Sequence, residues 1–187
     1  EALMADCVQR FGLIDVLISG AAGNFVAAAK DLTPNGFKTV MDIDLLGTFH
    51  VMRAAYPHLR KPGAAIVNIS APQAFIPMYG QIHVCAAKAG VDMITKTLAL
   101  EWGPEGVRVN SVVPGPIDDS EGMRRLAPSD ALRKKVAQSV PLRRLGSADE
   151  VASLCLMLAS PLGAYLSGAI IPVDGGWSAT GSLMPSA

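Results

Sequence analysis

Ala64-Ala65-Ile66-Val67-Asn68-Ile69-Ser70, with Pro62-Gly63 in front of it, is the stretch whose reading decides the fold. It is an apolar run rather than an alternation of apolar and polar positions. That pattern fits a strand covered on both faces, as in parallel sheets flanked by helices. The same kind of run recurs on either side of it. Asp15-Val16-Leu17-Ile18-Ser19 ends at Gly20, Val107 to Val113 ends at Pro114-Gly115, and Ala169 to Val173 ends at Asp174-Gly175-Gly176.

The segments between these runs read as helices. Leu3, Val8 and Phe11 give the first segment an apolar stripe that stops near Gly12. A helix over about residues 36–59 should carry Val40, Ile43, Leu46 and Val51 inward, and a long one should cover about 81–102. The polar stretch 116–145 reads as helical in parts, broken at Pro128 and Pro141. Ser147-Ala148-Asp149-Glu150 carries the chemistry of a helix start. Alternating strands and helices of this kind predict an α/β fold, a doubly wound, Rossmann-like parallel sheet, with residues 1–187 in a single domain.

Composition narrows the function classes. Of the 187 residues 50% are hydrophobic and 17% charged, which suits a buried sheet and leaves apolar surface for a homo-oligomer. Sixteen basic residues balance sixteen acidic ones, so no nucleic-acid footprint is expected, although a local basic patch could still meet a phosphorylated ligand. Cys7, Cys85 and Cys155 are widely spaced and form no CxxC pair; they read as reduced thiols of an intracellular protein. With His50, His58 and His83 they make no metal-ligand pattern, so no metal is expected. No charge-free apolar run reaches the length of about 18 residues that suggests a membrane span.

Ligands of open parallel sheets bind outside the carboxyl ends of the strands. Chemistry is therefore expected in the segments after Ile18, Ile69, Val113 and Val173. Gly20-Ala21-Ala22-Gly23 follows a strand, yet its spacing is not that of a pyrophosphate-binding glycine turn, and no such turn occurs near the start. The chain is expected to begin inside a larger, N-terminally truncated fold.

These pieces together resemble the short-chain dehydrogenase/reductase family. Gly20-Ala21-Ala22-Gly23 stands where that family usually has Asn-Asn-Ala-Gly, and Lys88 in Ala86-Ala87-Lys88-Ala89-Gly90 fits its active-site lysine. Arg108-Val109-Asn110-Ser111-Val112-Val113-Pro114-Gly115-Pro116-Ile117 and Val173-Asp174-Gly175-Gly176 complete the set. The departures are specific. The tyrosine position, four residues before Lys88, holds Val84; the serine position holds Ala71; the helix asparagine position holds Asp44. Valine cannot donate a proton, and Tyr79 is out of register to replace the missing phenol.

With Asn24-Phe25 and the run Asp118-Asp119-Ser120-Glu121-Gly122-Met123-Arg124-Arg125, these substitutions are similar to the peroxisomal-type 2,4-dienoyl-CoA reductase branch. The resemblance implies NADPH-dependent reduction of a 2,4-dienoyl-CoA to a 3-enoyl-CoA in the degradation of unsaturated fatty acids. Hydride would enter at C5 and a proton at C2, with Asp44 and Lys88 as the catalytic pair. It also implies NADP(H) contacts from Ala21, Ala22, Gly23, Lys88, Pro114, Gly115, Pro116, Ile117 and Ser120. Acyl-CoA contacts would come from Phe25, Thr33, Pro34, Asn35 and Arg125, and the assembly would be a homotetramer.

Plainer readings stand beside these. Asp44 could be a helix aspartate that only pairs with a lysine, Arg124 could replace Arg125 at a phosphate, and His83 reads as a satisfied histidine at a helix start. About 60 residues of the family fold, two βαβ-type units, would lie upstream of Asp15. Two other functions remain: a reductase of another enoyl or carbonyl substrate, and a catalytically silent scaffold. Met184-Pro185-Ser186-Ala187 is not an S-K-L-type address, so a cytoplasmic, bacterial-like setting is expected rather than a peroxisomal one.

Overall fold

Four parallel strands, β1 (Val16–Ser19), β2 (Ala65–Ile69), β3 (Arg108–Pro114) and β4 (Ile170–Val173), lie side by side in chain order. The structure, a computed structural model, describes residues 1–180; Met184 to Ala187, on which the expected cellular setting rests, lie outside them. Among the described residues seven α-helices accompany the strands: α1 (Ala2–Phe11) before β1, then α2 (Pro34–Val40), α3 (Gly47–Ala55), α4 (Ile82–Trp102), α5 (Glu121–Leu126), α6 (Asp130–Ser139) and α7 (Ala148–Ala159).

The period of two along each strand divides the core between two layers. Ile66 and Val109 point to one face, where Met4, Met52, Ala55 and Trp102 of α1, α3 and α4 cover them. Val67 and Val112 point to the other face and meet Cys155 and Leu158 of α7. Helices thus cover both faces, as the apolar runs predict, and the strand bounds agree with the sequence reading to within one residue. All four carboxyl ends fall at one edge of the sheet. Among the described residues no helix is long and apolar enough to cross a membrane.

Two expected stripes are corrected. In α1, Leu3 and Phe11 are exposed, and Met4 with Cys7 and Val8 faces the core instead. The helix expected over 36–59 is interrupted by a π-helical segment, Met41–Leu46, between α2 and α3, and closes in a 3-10 turn at Tyr56–His58. Val40 is buried as expected and Val51 half-buried, but Ile43 and Leu46 are exposed. Asp44, Thr48, Met52 and Ala55 take the inward positions. Thr48 Oγ1 donates to the Asp44 carbonyl at 2.7 Å, one of the irregular bonds that hold this stretch.

The predicted start of α7 is a full capping box. Ser147 Oγ accepts from the Glu150 amide, and the Glu150 carboxylate accepts from the Ser147 amide. Arg144 and the Ser147 amide hold the Glu150 carboxyl at about 2, below its ordinary 4.5. A depressed carboxyl stabilises the fold above its unfolded value and loses that contribution as pH falls through the folded one. Wild-type melting temperature should therefore fall between pH 4.5 and about 2 more steeply than that of Glu150→Gln. Parallel acid titrations of the two melting curves would refute this.

Candidate functional site

Asp44 is wholly buried, in the middle of the π-helical segment. Its Oδ1 accepts the Gly23 amide at 2.7 Å, tying the loop after β1 to the helix. A Cβ on residue 23 would stand 3.3 Å from Ile43 and 4.0 Å from Asp44 Oδ1, so glycine permits this close approach. The other oxygen, Oδ2, lies 3.4 Å from Lys88 Nζ and has no hydrogen-bond partner among the described residues. Lys88, 5% exposed on α4, donates to the Ile69 carbonyl at 3.2 Å. Asp44 therefore pairs with a lysine through Oδ2, the oxygen that makes no hydrogen bond. A buried ion pair is weak evidence of stabilisation, because desolvating two charges offsets most of their attraction.

The vacated positions are filled compatibly. Val84 packs on Val40 and Ala87, Tyr79 is 87% exposed, and Ala71 lines a cavity. That cavity, about 280 Å³, lies at the carboxyl edge of the sheet. Pro114, Gly115, Pro116, Ile117 and Ser120 line it on one side, with Asn24, Gln73, Met78, Met123 and Trp177 around the rest. The Ser120 hydroxyl is already engaged: it accepts from the Met123 amide and donates to the Ile117 carbonyl, so it caps α5. A Cβ at Gly115 would stand 2.6 Å from Asp174, which itself holds the amides of Gly176 and Ser178. Burial presses on Asp174, but the Ser178 side chain and surrounding amides leave its carboxyl lower than usual.

A second cavity, about 260 Å³, shares Asn24 with the first and is lined by Phe25 and Arg125. Arg125 pairs with Glu121 at 2.7 Å and reaches the Asn24 carbonyl at 3.4 Å; Arg124 pairs with the same glutamate. The two arginines remain alternatives for a phosphate. Thr33, Pro34 and Asn35 are exposed at the start of α2, where Thr33 Oγ1 caps the Gly36 amide. They lie beside Phe25, since a Cβ on Gly36 would stand 3.1 Å from its ring. Ala21 and Ala22 are exposed on the loop between β1 and Gly23.

Behind Lys88 runs a buried polar row: Asn68 Nδ2 donates to Thr95 Oγ1 at 2.8 Å, and Thr95 meets Ser111 at 2.8 Å. Asp92 belongs to it. Burial raises its carboxyl above the ordinary value, against the Ser70 and Ser111 hydroxyls and the charges of Lys96 and Lys88. Among the described residues no group of three or more His, Cys, Asp or Glu is placed to hold a metal ion. Sequence reasoning passed over Asn24, Gln73, Met78 and Trp177 as site residues. Asn24 and Trp177 both follow carboxyl ends of strands, a signal that could have found them.

A family model described as enoyl-(acyl carrier protein) reductase matches residues 1–178. The chain is 49% identical over 177 residues to the peroxisomal 2,4-dienoyl-CoA reductase [(3E)-enoyl-CoA-producing] of Pongo abelii, covering 94% of this chain and 60% of the relative. It is 42% identical over 177 residues to a probable 2,4-dienoyl-CoA reductase [(2E)-enoyl-CoA-producing] of Bacillus subtilis, covering 93% of this chain and 70% of the relative. The crystal structure of a gluconate 5-dehydrogenase from Burkholderia cenocepacia in complex with NADP and tartrate superposes with a TM-score of 0.89 at 28% identity, covering 96% and 70% of the two chains. The chain thus spans about 60% of the length of the first of these curated relatives.

Proposed function

The chain belongs to the short-chain dehydrogenase/reductase family, and on that footing we propose that the whole protein reduces a 2,4-dienoyl-CoA to a 3-enoyl-CoA with NADPH, in the breakdown of unsaturated fatty acids. The observation that carries this reading is the buried Asp44–Lys88 pair, standing where Val84 has removed the proton-donating phenol. The names of the relatives support the substrate class.

The residues present fit the nicotinamide half of the cofactor. Lys88 is buried beside the end of β2, outside the lining of either cavity, while Asn24, which has a buried side-chain oxygen without a partner among the described residues, and the chain from Pro114 to Ile117 line one cavity together. When bound, the cofactor supplies a hydride. Hydride entry at C5 of the dienoyl thioester sends negative charge through C4 and C2 to the thioester oxygen. A proton must then reach C2.

In our reading a water beside Asp44 Oδ2 gives a proton to C2 while the Lys88 ammonium returns one to it through the carboxylate, and the pair regains a proton from solvent. The Gly23 amide steadies the carboxylate. Phe25 and Arg125 receive the acyl-CoA, with Thr33, Pro34 and Asn35 at the rim. Ala21, Ala22, Gly23 and Ser120 act through the loops that frame the cofactor. The outward stripe Ile43, Leu46 and Phe49 supports a homo-oligomer, a tetramer by our reading.

The printed product of the Bacillus relative favours a second reading, in which the proton goes to C4 and the product is a 2-enoyl-CoA. Incubating the full-length protein with a 2,4-dienoyl-CoA and NADPH separates the possibilities. We expect matched loss of the dienoyl and NADPH absorbances and an unconjugated 3-enoyl product. A conjugated product selects the second reading, and NADPH binding without turnover of any enoyl or carbonyl substrate leaves a silent scaffold.

A further inference from the structure

His83 opens α4 one residue before the vacated phenol position, and its side chain is wholly buried. Its ring lies 4.4 Å from that of Phe25, centroid to centroid, at a tilt of 41°. Neither Nδ1 nor Nε2 makes a hydrogen bond of good geometry among the described residues, although the Phe25 main chain lies near enough to act on the ring. A neutral imidazole carries one donor and one acceptor, and buried polar groups of this kind are nearly always satisfied.

Two further buried, unpartnered polar atoms belong to the same surroundings: Asp44 Oδ2 and Asn24 Oδ1. Asn24 neighbours Phe25 in the chain, and Gly23 is bonded to Asp44, so one short loop joins all three orphans. Asp44 is near enough for its charge to act on the imidazole. Burial lowers the pKa of His83 below 6.5, opposed by the Phe25 backbone and by Asp44. The ring is accordingly uncharged near neutral pH.

We propose that His83 is a positioning residue for the proton-delivering water. Its N–H donates to the water oxygen, leaving the water free to take a proton from Asp44 and to aim its own at the substrate carbon. No bond to His83 is made or broken. A water held by two fixed groups instead of one arrives oriented, and donation to its oxygen also raises its acidity. This role rests on the dienoyl-CoA reductase reading above.

The test uses the full-length protein carrying His83→Phe, which keeps the ring and removes both polar atoms, and His83→Gln, which restores a donor. For His83→Phe we expect kcat to fall by about 30-fold, less than the roughly 100- to 10,000-fold typical of a group that itself transfers the proton. KM for the dienoyl-CoA, NADPH affinity and melting temperature should stay near wild type. Proton delivery then limits the rate: the solvent deuterium isotope effect on kcat rises, and that from 4-deuterated NADPH shrinks. His83→Gln should recover most of the lost kcat.

Unchanged kcat in an active, folded His83→Phe overturns the assignment alone. So does an equal loss in both variants with isotope effects unmoved, which marks a merely structural histidine. A wild-type protein inactive on dienoyl-CoA overturns the proposed function, and this role with it.

Discussion

Asp44→Asn should lower kcat on a 2,4-dienoyl-CoA by about a thousand-fold while leaving NADPH binding measurable. The amide has nearly the shape of the carboxyl group and can still accept the Gly23 amide through one oxygen. What it loses is the second oxygen, the one facing Lys88 at 3.4 Å without another partner. An amide neither takes nor gives a proton at neutral pH, so the pair can no longer relay one. The substitution also leaves a buried ammonium with the Ile69 carbonyl as its remaining partner. Removing one member of a buried pair typically costs about 3–5 kcal/mol. Thermal melts must therefore accompany the kinetics. A folded Asp44→Asn protein that turns over dienoyl-CoA within tenfold of wild type would show that this carboxyl group is a structural counter-ion and nothing more.

The second large effect is expected at Lys88. Lys88→Met keeps the length of the stem and removes the charge, stranding a wholly buried carboxyl group that now has the Gly23 amide alone. Turnover should fall by at least about a hundred-fold, and NADPH affinity should fall with it. That joint loss distinguishes the two positions, since Asp44→Asn is expected to spare the cofactor. Isothermal titration of NADPH into both variants, beside steady-state kinetics, decides the matter. Equal cofactor affinity in Lys88→Met and wild type would remove the lysine from the cofactor contacts and restrict it to the proton.

The sheet was readable because strands buried on both faces are continuous apolar runs with glycine or proline at their ends. Asp15 to Ser19 and Ala64 to Ser70 carry that signal plainly. Ser147 with Glu150 was readable for a similar reason: the capping box is local, and its residues satisfy one another within a single turn. The proposed catalytic pair was legible only through resemblance. Nothing in Met41-Asp42-Ile43-Asp44-Leu45-Leu46 marks which carboxylate turns inward, and a regular helical stripe chose Ile43 and Leu46 wrongly. Burial at 44 depends on contacts made more than twenty residues back, at Gly23, and forty-four ahead, at Lys88. Such pairings are tertiary and leave no periodic trace. His83 failed differently. It reads as a satisfied histidine at a helix start, and nothing local shows that its ring lies against Phe25, far away in sequence.

The widened turn at Met41–Leu46 ties two properties of the molecule together. The same extra residue that swings a carboxylate into the interior swings Ile43, Leu46 and Phe49 toward the outside. The buried carboxylate within and the apolar stripe without thus share one geometric cause. Deleting a single residue from that turn to make a regular helix would shift both at once, so neither can be redesigned alone by editing the length of this stretch.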